Sequence, residues 1–383
     1  MKKFLLVATI LFSTCVSAQL REGIVGREAV ARFGEDIAQA FNKRDAKTLA
    51  LLIDLRGVAL RAARFQGLNP TDLEQFAAGV ESAGMKNIFG GYFRTLDSSQ
   101  GTVKFMRVTN TTPARALVRL DFGENGSDYH EYVIETREGR TRAVDWFQLS
   151  SGELVSVTIG GISQLFTTSD AGLVGKLFGG AKVDEAGLAN LRKVGELQRA
   201  GKYAEALATI RKLPPQLANS RILLSAQASM ASLAKQDDEY SRILTMLAEK
   251  YSDDPTASFM LIDHYLLQKD VPNTLKAIDT MEKRVGVDGI TSYLRAATYF
   301  VVDDFKNALV YADQSVAVEP DRVNGYDIRA TVLVRLERFA DAVAQYRDIE
   351  KKFQLAFSRK SFQDDPKFAK FVASAEFSKW LPK

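Results

Sequence analysis

Cysteine is almost absent. The one such residue among 383, Cys15, lies in an N-terminal segment that carries every part of an export signal. Lys2 and Lys3 make a basic start, Phe4 to Phe12 is an apolar run, and Val16-Ser17-Ala18 supplies small residues before Gln19. Such a segment is too short to span a bilayer and is cleaved on export. Phe12 and Thr14 stand where a lipoprotein signal has a leucine and a small residue, so Cys15 reads as part of the leader. A chain beginning at Gln19 then has no disulfide, no thiolate nucleophile and no thiolate metal site. Past the leader, no run approaches the ~20 apolar residues of a membrane span, so no transmembrane segment is expected.

Histidine is nearly as scarce. His130 and His264 are the only two, too few for a zinc site without cysteines or clustered carboxylates. No glycine-rich phosphate loop, G-x-S-x-G elbow or H-E-x-x-H pair occurs. Charge of either sign is not in excess either: the net charge is +4, with no basic cluster, which speaks against nucleic acid as a partner. Neither a metal nor a cofactor is expected, and no catalytic residue.

The chain holds two kinds of pattern. Residues 19–168 read as an α+β domain. Val30, Phe33, Ile37 and Phe41 recur at helical spacing within 21–43. A second helix over 46–65 is expected to break near Gly57. A third opens at Thr71-Asp72-Leu73-Glu74, which has the form of a capping box. After Gly101 the period becomes two, predicting strands over 103–108, 116–122, 129–137, 141–149 and 153–159, with Gly139 and Gly152 in turns. Helices followed by hairpin-linked strands predict a curved antiparallel sheet packed on helices. Gly172, Gly175, Gly179 and Gly180 mark a linker, placed at 169–185.

That element order resembles the nuclear-transport-factor-2-like cone superfamily. The stretch from Tyr132 to Phe166 also resembles periplasmic lipid-shuttle proteins of the MlaC type. The resemblance implies a pocket for a small apolar ligand or lipid, with His130, Tyr132, Asp145 and Phe147 as lining candidates. His130 with Asp145 has the make-up of an acid–base pair. Asp145 and Trp146, however, are adjacent in a strand and point to opposite faces, so a core or surface role is expected for both.

The second pattern is a repeat. Residues 292–320 align without a gap on the stretch beginning 34 residues later: Tyr293 on Asp327, Arg295 on Arg329, Ala296 on Ala330, Phe305 on Phe339, Ala308 on Ala342. Tyr265 precedes Tyr299 by the same interval. Gly201-Lys202-Tyr203-Ala204-Glu205-Ala206 fits an inter-helix turn, and Asp253-Asp254-Pro255 a repeat boundary.

With Ala296, Tyr299, Ala308 and Pro320 at their places, the pattern resembles the tetratricopeptide repeat (TPR). The resemblance implies about five helical pairs over 186–352, an all-α solenoid, and capping helices over 353–383. It further implies a non-enzymatic scaffold that takes a protein or peptide partner in a groove lined by first helices. By the family pattern the groove candidates are Asp263, Tyr293, Ala297, Asn324, Asp327 and Arg335. With the export signal, the expected location is periplasmic or secreted, cleavage falling near Ala18-Gln19, and the expected partner belongs to the cell envelope. The oligomeric state is left open.

Overall fold

A computed structural model describes residues 25–63, 70–84, 89–123, 126–137, 139–160, 183–252 and 257–382. The predicted leader and most of the predicted linker lie outside the described residues. The chain divides into two compact units, one reaching Ile243 and the other running from Leu244. Among the described residues no helix is long and apolar enough to cross a membrane.

In the first unit, α1 (Arg27–Asn42) and α2 (Ala46–Leu52) precede α3 (Leu55–Ala63), α4 (Pro70–Gly84) and α5 (Gly90–Ser98). An antiparallel meander follows, β1 (Thr102–Val108), β2 (Ala116–Asp121), β3 (Ser127–Arg137), β4 (Arg140–Gln148) and β5 (Glu153–Leu154), in that spatial order. α1 lies along the sheet because Val30, Phe33, Ile37 and Phe41 form one buried stripe. Gly34 permits the close approach, since a Cβ there would sit 2.2 Å from the Phe105 ring. Asn42 closes the edge of β1, donating to the Val103 carbonyl at 2.8 Å and accepting from the Val103 amide at 2.8 Å.

Three expectations are corrected. The break in the second helix falls at Ile53-Asp54 rather than Gly57. Ile53 bridges Ala143 of the sheet, and Asp54 restarts the helix by accepting from the Gly57 amide at 2.8 Å. Thr71 is inside the first turn of α4 rather than ahead of it, and Glu74 pairs with Arg56 instead of closing a capping box. The predicted last strand stops at Leu154, and residues 155–160 are helical. The cause is tertiary. Asp145, buried in β4, accepts from the Ser156 amide at 3.1 Å and from its hydroxyl at 2.5 Å, so it caps this helix from outside.

The helical region repeats one local geometry. Gly201, Lys235, Lys269, Asp303 and Glu337 are each 34 residues apart, and each has a left-handed φ between 54° and 72°. The residue after each donates its amide back across the turn: Lys202 to Leu197, Gln236 to Ala231, Asp270 to Tyr265, Asp304 to Tyr299 and Arg338 to Leu333, at 2.9–3.0 Å. This is the Schellman closure of a helix end. It separates the helices of five pairs. In the first unit these are α6 (Glu185–Arg199) with α7 (Tyr203–Ile210), then α9 (Arg221–Leu233) with α10 (Asp237–Tyr251), whose later turns belong to the second unit. The short α8 (Pro215–Ala218) lies between the pairs. In the second unit they are α11 (Ser258–Leu267) with α12 (Val271–Val285), α13 (Gly289–Phe300) with α14 (Phe305–Val318), and α15 (Val323–Arg335) with α16 (Phe339–Phe353).

The buried small residues fall on the same interval. Ala228, Ala296 and Ala330 sit in first helices; Ala206, Ala308 and Ala342 sit in second helices, all fully buried. Without bulk at these points, two helix backbones approach closely. Successive pairs are clamped by a repeated arginine. Arg295 of α13 reaches Asp279 and Glu282 of α12, and Arg329 of α15 reaches Asp313 of α14.

Four of the five left-handed positions carry a side chain, although glycine alone holds this conformation without steric cost. Lys269→Gly should therefore raise the stability of the second unit by about 1 kcal/mol. A urea melt in which the variant's midpoint is equal to or below the parent's would refute this.

Candidate functional site

The second unit carries all six predicted groove residues. Asp263 lies on α11, Tyr293 and Ala297 on α13, Asn324 and Asp327 on α15; these are the first helices of three successive pairs. α13 packs directly on α15. Tyr293 and Asn324 are half-buried, whereas Asp263 and Asp327 are exposed.

The electrostatics link three of them. Burial pushes the Tyr293 phenol up; Asp327 and Asp263 push it further, and Arg322 opposes. Burial likewise raises the Asp327 carboxyl, with Lys367 pulling the other way. Asp327 thus has solvent access by area and yet is crowded by protein. Its charge also reaches Tyr346, whose phenol is raised first by burial and then by Asp327.

Arg335 is the last residue of α15, about two turns beyond Asp327. It pairs with Asp303 at 2.9 Å and lies 4.5 Å over the Phe305 ring, at the inter-helix turn. Lys367 and Arg322 were not predicted. Lys367 comes from the cap beyond the periodic region, where no spacing rule points to it.

The four pocket candidates of the sheet domain do not share a face. The β3–β4 register sets His130 opposite Gln148 and Tyr132 opposite Trp146, on the side that packs against α1 and α5. Asp145 and Phe147 alternate to the other side. The acid partner of His130 is Asp128, two residues earlier on the same strand face, at 3.2 Å. Alternation along the strand was a legible signal for this pair.

Asp128 also accepts from the Ser150 amide at 2.9 Å and hydroxyl at 2.7 Å. Burial raises its carboxyl, but these bonds and His130 outweigh that and leave it below the usual carboxylate range. Tyr92 of α5 packs edge-on to the His130 ring at 5.5 Å and bonds to Gln148. The Nδ1 of His130 is buried without a hydrogen-bond partner. His264 is buried in α11, its ring 5.3 Å from that of Tyr265. Among the described residues, no group of three or more His, Cys, Asp or Glu is placed to hold a metal.

No family model matches the chain, and no curated protein matches it. Among solved structures it is similar to MamA, residues 41 to the end, from Desulfovibrio magneticus RS-1. That match has 12% identity and a TM-score of 0.38 over 45% of this chain and 97% of the other. It is also similar to the TPR2AB domain of yeast Sti1 in a pHSP90 complex, with 17% identity and a TM-score of 0.25 over 59% of this chain and 77% of the other. The expected likeness of the sheet domain to the nuclear-transport-factor-2-like superfamily has no counterpart in these comparisons.

Proposed function

We propose that the protein is an exported, non-enzymatic adaptor of the tetratricopeptide type. Its second unit takes a peptide or helix of a cell-envelope partner on the first helices α11, α13 and α15. The observation that carries this reading is that the charges of Asp327 and Asp263 both reach Tyr293, the three lying on the first helices of three successive pairs. The five evenly spaced helix-end closures support the repeat assignment. Export rests on the leader read in the sequence.

The charge reversals Asp263→Lys and Asp327→Lys, made together, are expected to weaken partner binding while leaving the helices intact. Arg335 is a poor site for this test, because its reversal would also break its pair with Asp303 and its contact with the Phe305 ring. A second reading, a small-ligand site inside the sheet domain, is favoured by the unpartnered His130 Nδ1 in an aromatic interior.

A further inference from the structure

Arg221 is the first residue of α9, yet its side chain is bound to the sheet domain. Nη1 donates to the Ser151 carbonyl at 3.0 Å, and Nη2 donates to Glu153 Oε1 at 2.9 Å. The side chains are 20% and 15% exposed, so this forked pair is largely shielded from water.

Both sides of the contact are held in place. On the sheet side, the 148–153 turn is fixed by Gly152 at φ 70° and by Ser150 on the buried carboxylate of Asp128. On the helical side, Ser220 donates to the Leu217 carbonyl at 2.8 Å. Gln227, itself buried, donates to the Ala218 carbonyl at 2.8 Å and so fixes the α8–α9 corner. Burial raises the Glu153 carboxyl despite the attraction of Arg221, in keeping with a desolvated contact.

We propose that Arg221 is a latch: it fastens the start of the second helical pair to the β4–β5 turn, so that sheet domain and early repeats move as one body while it is closed. A planar guanidinium suits this role because it serves a carbonyl and a carboxylate together, which a lysine ammonium does with less geometric constraint. The inference does not depend on the groove reading, since every residue it uses belongs to the first unit.

The test uses the full chain with Cys15→Ser, which leaves no cysteine, and spin labels at Arg140→Cys and Lys212→Cys. Double electron–electron resonance should give one narrow distance peak. Arg221→Ala and, separately, Glu153→Gln should each lose that single peak, with unchanged far-UV circular dichroism. Arg221→Lys should broaden it less. A broad distribution in the parent, or a narrow one that survives both substitutions, overturns the latch.

Discussion

Phe371→Ala should cost the second unit about 3–5 kcal/mol, the range for emptying a fully buried aromatic site. Phe371 lies in α18 (Ala369–Val372), between α17 (Lys360–Gln363) and α19 (Ala375–Trp380), and is fully buried. Its ring lies 5.0 Å from Phe377, 5.7 Å from Phe339, 5.9 Å from Phe362 and 6.0 Å from Tyr346. These short helices have little stability of their own, so the aromatic cluster is what holds them against the last pair. A repeat array ends on an apolar face that needs a cover, and this cluster supplies it. The effect is readable by unit, because Trp380 lies in the cap and Trp146 in the sheet domain. In a Trp146→Phe background, the denaturant midpoint of Trp380 fluorescence should fall steeply. An unchanged midpoint would mean that the cap does not stabilise the unit.

Asp145→Ala should be nearly as costly to the sheet domain. It deprives the Trp146 amide, the Ser156 amide and the Ser156 hydroxyl of their acceptor. An unpartnered buried donor costs about 1–3 kcal/mol, so the loss should reach at least about 3 kcal/mol.

The same carboxylate sets a pH dependence. Burial raises its affinity for a proton, more than the Ser156 and Trp146 bonds and Arg61 lower it. Its folded value therefore lies above its unfolded one, and acid favours the folded form. The contribution is full below the ordinary carboxylate range and is lost as pH rises through the raised value. Asp128 behaves oppositely: its contribution is present above the ordinary range and is lost as pH falls through its lowered value. With Trp146 as reporter and Trp380→Phe as background, the Asp145→Asn variant should lack the gain in stability on mild acidification that the parent has. Parallel pH profiles for the two would contradict the assignment.

The repeats were legible because their determinants are local. A left-handed residue, the closure after it and the small residues flanking it recur every 34 positions, and each acts within a few residues of itself. The same is true of the α1 stripe and the hairpin glycines. What escaped the sequence depends on residues far apart in the chain. Val155, Val157 and Ile159 alternate as a strand does, but Asp145 turns the segment into a helix. The β3–β4 register shifts between Val133 and Ile134, where the freed Val144 carbonyl accepts from Arg61. Family pattern named Asp263, Tyr293 and Asp327, and the first and last of these act by charge on the second; it gave no sign that Arg335 would be tied to Asp303 and Phe305 across the repeat boundary.

The most direct test of the adaptor reading is a binding titration with a partner recovered by cross-linking to the intact protein. The parent and the Asp263→Lys, Asp327→Lys double variant would be compared at matched thermal stability. Binding at least about tenfold weaker is expected for the double variant, the scale of losing one well-placed charged contact. Equal affinity, with the fold intact, would take the partner surface away from the first helices of the second unit.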